Sequence, residues 1–211
     1  MKLLLLSDTH GQNNLLEDLP EADVAIHCGD VTRYGSRDDL KEFASYFGEV
    51  KSTYKIIIAG NHDACLAKHR AYCEGILNLH HIAYLEDSSI TIGGIKFWGM
   101  PWTPWFGTWH FMADNHVLVN KWSNIPNNVD VVISHGPPHR ILDETAKGEH
   151  AGSPTQRGNV MHRIKPALNV FGHIHEAHGQ TKKLFTDFIN CSLLNERYEP
   201  TFQPVLYEIG E

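Results

Sequence analysis

The chain has 211 residues, 42% of them apolar and 20% charged, which suffices for a sizeable hydrophobic core and excludes a wholly disordered polymer. A formal charge of −7 argues against a broad basic surface for duplex DNA or RNA. No apolar run approaches the roughly 20 residues that a membrane-spanning helix needs, so no membrane partner is expected.

The opening Met1-Lys2-Leu3 has the look of a signal peptide, but its apolar run ends at Leu6 and Ser7-Asp8-Thr9-His10 comes at once. Residues 3–6 therefore read as a buried strand. Residues 24–26 and 55–58 read as two more strands, each short, rich in Val and Ile, and stopped by Gly, Asn or Asp. Between them, residues 37–47 predict a helix, with acidic residues early and Leu40, Phe43, Ala44 and Phe47 at helical spacing. Residues 89–99 read as a hairpin turning at Gly93-Gly94. In Met100-Pro101-Trp102-Thr103-Pro104-Trp105-Phe106, two prolines exclude a helix. Trp102 is expected to pack on the core, and Trp105 and Phe106 to wall a pocket on which a planar group stacks. Residues 113–122 and 155–164 predict helices, and 129–133 and 168–171 strands. The Gly/Ser/Thr-rich stretch 148–158 serves either as a lid or as an ordinary connection. Residues 179–209 read as strands without a helix. Alternating strands and helices, with no repeat or linker, predict one α/β domain over residues 1–211.

The residues just past each strand carry the chemistry. Asp8 and His10 come after the first, Asp30 after the second, and Asn61, His62 and Asp63 after the third. His135 comes after residues 129–133, and His173 and His175 after 168–171. Imidazole, carboxylate and amide oxygen are the ligands of a borderline divalent cation, and ligands in α/β sheets bind beyond the carboxyl ends of strands. The D-x-H and H-x-H spacings let alternate side chains of an extended segment face one centre. Taken singly, each motif reads as turn residues and caps; five in this order read as a metal site. Among the fifteen histidines, His80, His81, His110, His116, His150, His162 and His178 read as surface or capping residues, and His139 as a surface residue near the pocket rim. Cys28, Cys65, Cys73 and Cys191 lack C-x-x-C spacing and read as free thiols of a reducing compartment, so a cytoplasmic chain is expected.

The set D-x-H, G-D, G-N-H-D, S-H-G and G-H-I-H resembles the calcineurin-like metallophosphoesterases over nearly the whole chain. It is particularly similar to the branch of metallophosphoesterase-domain-containing proteins, through the stretches 54–62, 100–106, 134–138 and 171–176. The resemblance implies a four-layer αββα sandwich of two mixed sheets flanked by helices. It implies one metal held by Asp8, His10, Asp30 and His175 and a second by Asp30, Asn61, His135 and His173, with Asp30 bridging. Two divalent ions are expected, Mn2+ first, with Fe, Zn or Mg also compatible. A metal-bridging hydroxide would be the nucleophile near neutral pH. By the same resemblance His62 protonates the leaving oxygen, with Asp63 orienting it. Arg33, with Asn61, is the candidate for a substrate phosphate, its alternative being a solvated loop arginine. The expected substrates are small phosphodiesters or phosphomonoesters, cyclic nucleotides among them. The rival readings are a non-catalytic metal-containing binding module of the same fold and a single-strand nuclease, which would need a basic groove.

Overall fold

Four consecutive leucines of the first strand, β1 (Lys2–Leu6), are divided between two cores by the alternation of side chains along an extended chain. Leu4 and Leu6 face one way, Leu3 and Leu5 the other, and all four are fully buried. A strand buried on both faces explains why the pattern is a continuous apolar run rather than an alternating one. The computed structural model describes residues 1–210.

The remaining strands are β2 (Ala22–His27), β3 (Ser52–Ile57), β4 (Ile82–Tyr84), β5 (Ser88–Ile92), β6 (Ile95–Met100), β7 (Thr103–Pro104), β8 (Met112–Ala113), β9 (Val131–Ser134), β10 (Leu168–Phe171), β11 (Gly179–Lys183), β12 (Thr186–Asn190) and β13 (Val205–Glu208). One sheet runs β13-β1-β2-β3-β4, parallel except for β13; the other runs β11-β12-β10-β9-β6-β5, with antiparallel strands at both edges. The helices are α1 (Arg37–Gly48), α2 (Ala64–Lys68), α3 (Arg70–Leu79), α4 (Asn115–Ser123) and α5 (Pro154–Gly158).

Three apolar clusters define the layers. Between the sheets, Leu3, Val24 and Ile56 meet Phe97, Ile133 and Val170. On the outer face of the first sheet, Leu4 and Ile57 pack against Phe43 and Phe47 of α1 and Leu77 of α3. On the outer face of the second, Val132 and Phe171 pack against Leu118 and Trp122 of α4 and against Val160 and Ile164. The result is the expected αββα sandwich with two mixed sheets.

Local chemistry explains the element ends. Ser36 caps α1 by accepting from the Asp39 N–H at 2.9 Å, with Asp38 and Asp39 in the positively polarised first turn. The β5–β6 hairpin turns at Gly93 and Gly94, both with positive φ. The predicted helix over 155–164 is a short α5 continued by a wider π-helical stretch, Asn159–Ile164, ended by left-handed Lys165. The sequence reading passes over α2 and α3, which bury Cys65, Leu66, Cys73 and Leu77 and start at Asp63 and His69 without a side-chain cap. Among the described residues no helix is long and apolar enough to cross a membrane.

Candidate metal centre

At the carboxyl ends of β1, β2, β3, β9 and β10 the chain makes five loops that meet where the two sheets join. The join is held by a parallel bridge between Ser7 and Ser192. The first two loops keep pairing beyond their strands: Asp8 donates its N–H to Gly29 O at 3.1 Å and His10 donates to Asp30 O at 2.9 Å. Asp8, His10, Asp30 and His173 all sit at positive φ, a left-handed conformation that costs a residue bearing a Cβ. Two glycines permit the close approach. A Cβ on Gly60 would overlap Asp30 Oδ1 and His135 Cε1, and one on Gly172 would overlap Asp8 Oδ2 and Ser7 Oγ.

Three ligand groups converge, each with its atoms within 4.8 Å of one another: Asp8, His10 and His175; His10, Asp30 and His62; and Asp30, His135 and His173. Asp30 stands at the middle. Its Oδ1 accepts the His62 backbone N–H at 2.8 Å, while Oδ2 lies 3.6 Å from His10 Nε2 and 3.5 Å from His135 Nε2. Asp8 is divided the same way. Oδ2 accepts from the His173 N–H at 2.9 Å and the Ser192 hydroxyl at 2.7 Å, whereas Oδ1 is buried with no hydrogen-bond donor among the described residues, 3.6 Å from His175 Nε2.

Backbone carbonyls fix the imidazoles. His135 Nδ1–H donates to Cys28 O and His175 Nδ1–H to Asn195 O, both at 2.9 Å, so each Nε2 turns inward as the free nitrogen. There His135 Nε2 meets Asn61 Oδ1 at 3.0 Å, and His175 Nε2 meets His10 Nε2 at 3.3 Å. Lone pairs of acceptors so placed need positive charge between them, either a proton or a cation. The same geometry sets the acid–base behaviour of the metal-free chain. Burial disfavours charge on His135 and His175, yet Asp30 pushes His135 up to about 10 and Asp8 pushes His175 up to about 9. Burial likewise opposes charge on Asp8 and Asp30, but His175 and His135 hold them below the usual carboxylate range. Burial carries His10 down to about 4 and His173 to about 3. An unpartnered anionic oxygen, a shared carboxylate and inward-facing imidazole nitrogens fit divalent cations.

His62 lies 4.5 Å from the His10 ring, edge-on, and stacks on Trp109 at 4.1 Å. Its Nδ1–H donates to Arg33 O at 2.7 Å. This corrects the expected role of Asp63, which does not orient the ring. The Asp63 carboxylate is wholly buried and accepts from the N–H groups of Gly60 at 2.8 Å, Thr32 at 2.9 Å and Val31 at 3.3 Å, and from the Thr32 hydroxyl at 2.7 Å. It ties the Asp30 loop to the Asn61 loop; adjacency to His62 in the chain points the two side chains apart. Burial and then Asp30 push its carboxyl up to about 6, against those donors.

A cavity of about 460 Å3 opens over the cluster, walled by Trp105, Phe106, Trp109 and Tyr198. Trp105 and Phe106 thus stand where expected, while Trp102 packs edge-on to Phe111 and donates to Asp87 Oδ2 at 3.1 Å. Thr145 and Ala151 line the same cavity, so the loop before α5 forms part of the wall. Arg33 does not line it; its guanidinium lies beside the Tyr34 ring in an adjoining hollow. His139 is likewise outside, 3.7 Å from Asp143. Sequence reasoning missed Trp109, Tyr198 and Ser192, which carry no motif. Only the aromatic density around residues 102–111 pointed towards the first.

A sandwich of two mixed sheets here gathers carboxylate and imidazole groups at its joined strand ends, in clusters that could hold metal ions. The profile of the calcineurin-like phosphoesterases matches residues 1–177. Metallophosphoesterase domain-containing protein 1 of Homo sapiens is 34% identical over 99% of this chain and 71% of its own length. The UPF0046 protein C25E10.12 of Caenorhabditis elegans is 30% identical over 99% of this chain and 81% of its own. The crystal structure of TT1561 of Thermus thermophilus shares the fold, with a TM-score of 0.68 at 14% identity over 90% of this chain and 88% of that one. The chain belongs to the calcineurin-like phosphoesterase family.

Proposed function

We propose that this chain is a two-metal phosphoesterase hydrolysing small phosphodiesters or phosphomonoesters, cyclic nucleotides among the candidates. One metal would take Asp8, His10, Asp30 and His175, the other Asp30, Asn61, His135 and His173. The observation that carries the reading is the position of Asp30 Oδ2, a single carboxylate oxygen 3.6 Å and 3.5 Å from imidazoles of two different ligand groups. Manganese is the first candidate for both positions, since mixed nitrogen and oxygen ligands suit it. When bound, two such cations acidify a water and offset the charge of the phosphate oxygens.

The residues of the chain do the rest. His62, its Nδ1–H held by the Arg33 carbonyl, keeps Nε2 free to carry a proton towards the leaving oxygen. In hydrolysis a water oxygen forms the new bond to phosphorus and releases a proton to solvent. The bond to the leaving oxygen breaks, that oxygen takes the proton carried on His62 Nε2, and solvent restores the proton to His62 after release. Trp105, Phe106 and Trp109 offer flat apolar faces, 63%, 40% and 41% exposed, for a planar substituent. A cavity of about 460 Å3 suits a small ester. Four free, buried cysteines are consistent with a cytoplasmic setting.

The test is a hydrolysis screen of a bis-aryl phosphodiester, an aryl phosphomonoester and 2′,3′- and 3′,5′-cyclic nucleotides, with manganese supplied or chelated. Turnover of at least one class that vanishes with chelator and returns with metal is the expected result. No metal-dependent turnover of any class would favour a binding module.

A further inference from the structure

Beside the candidate metal cavity lies a second hollow of about 410 Å3. His10, His62, Trp109 and Tyr198 line both, so the two chambers adjoin across the proposed proton donor. The second chamber adds Arg33, Arg197, Gln12 and Tyr34, and among the described residues no carboxylate lines it. In a chain with a formal charge of −7, two exposed guanidinium groups in an acid-free hollow are a local inversion of sign. Their in-protein partners are weak. Arg33 rests beside Tyr34, 5.4 Å from its ring centre, and Arg197 Nε lies 3.7 Å from the exposed Glu196 beside it. Two hydrogen bonds fix the backbone from which the arginine side chains project. The Arg33 carbonyl accepts from His62, and Gln12 Nε2 donates to Tyr198 O at 3.0 Å, pinning the turn that carries Arg197. Tyr198 itself takes positive φ in that turn.

The leaving oxygen must face His62, and beyond His62 lies this chamber. We propose, resting on the phosphoesterase reading above, that the leaving arm of the natural substrate carries a second phosphate, bound by Arg33 and Arg197. Guanidinium forks match phosphate oxygens, and a second such contact discriminates between substrates of equal reactivity. The reacting phosphate and the recognised one then occupy separate chambers of one enzyme. This makes the preferred substrate a small diester with an additional terminal phosphate.

The kinetic test compares dithymidine monophosphate with the same dinucleotide bearing a 5′-terminal or a 3′-terminal phosphate, on manganese-loaded protein. One phosphorylated form should be favoured in kcat/KM by about tenfold or more, through KM. The Arg33→Gln/Arg197→Gln double variant should bring that preference down to about twofold or less. No preference in the native protein, or a preference that survives in the variant, overturns the proposal. A calorimetric titration of chelator-treated protein with adenosine 3′,5′-bisphosphate separates the two readings. If no diester is hydrolysed but the double variant binds this probe about tenfold more weakly, the hydrolase reading fails and the anion chamber stands. Equal binding by native and variant protein sinks the chamber whatever the hydrolysis screen finds.

Discussion

Asp63→Ala separates a structural from a catalytic role for the residue next to the proposed acid. The carboxylate is the acceptor for three buried backbone N–H groups, those of Gly60, Thr32 and Val31. The Thr32 hydroxyl, its fourth donor, keeps an alternative acceptor in His62 O at 3.2 Å and is not orphaned. Leaving a buried donor unsatisfied costs about 1–3 kcal/mol, and water entering the vacated space recovers part of it, so a loss of about 3–5 kcal/mol is expected. In a chain of this length each kcal/mol moves the midpoint by about 2–4 °C, which puts the fall in Tm near about 10 °C. Asp63→Asn keeps one acceptor and turns an NH2 towards the donors, and should fall between native and alanine. The assay is thermal unfolding of chelator-treated protein, then metal titration, because the tie joins the Asp30 and Asn61 loops. A Tm within about 2 °C of native, with turnover reduced and metal affinity intact, would refute the reasoning and return Asp63 to a role on the His62 ring.

The other expectations are narrower. His62→Ala should retain metal yet lose about 100-fold or more in kcat, most for esters with poor leaving groups; release of metal would instead make His62 a ligand, as its proximity to His10 and Asp30 permits. Asp30→Asn should weaken both metal positions together, seen as loss of the two-ion stoichiometry by elemental analysis; one site emptied with the other full would end the bridging assignment. His27 is buried, with Nδ1 accepting from the Gly29 N–H at 3.3 Å, Nε2 against the Thr9 hydroxyl at 3.1 Å, and its pKa lowered by burial to about 3. Its folded value lies below the unfolded one, so its contribution is complete above about pH 6.5 and is lost as the pH falls from there towards 3, by up to about 1.4 kcal/mol per unit. Denaturant unfolding of chelated native protein and His27→Gln between pH 7.5 and 5 should show a flatter slope for the variant, and parallel curves would contradict this.

Much of the fold was readable because buried parallel strands announce themselves. Leu3–Leu6 is apolar on both faces and Leu168–Phe171 is apolar but for Asn169, and they are followed by Ser7 and Gly172, so composition placed each strand end and the loop beyond it. The ligand candidates were legible for the same reason, since a metal site at strand ends puts its side chains a fixed few residues past each apolar run. Helices α2 and α3 were not: α2 is a five-residue segment, and α3 is as amphipathic as α1 but starts at His69 without the side-chain cap and acidic first turn that mark α1.

What the sequence withheld are the contacts that decide which atom of a ligand faces the centre. Asp8 and Ser192 lie 184 positions apart, yet that hydroxyl occupies one carboxylate oxygen and leaves the other to the cavity. Asp63 shows the opposite error: proximity in sequence suggested a partner for His62, and the backbone sent the carboxylate to another loop. Trp109 reaches the site because His110 donates its N–H to Asn61 O, a link with no signature in either segment. Positive φ at Asp8, His10, Asp30 and His173 ties these observations together. A motif records that a loop turns sharply after a strand; only the surrounding hydrogen bonds, which hold that strained turn in place, determine what it presents. Side chains that supply chemistry are therefore legible one loop at a time, whereas the walls that select a substrate are assembled from segments with nothing in common but their destination.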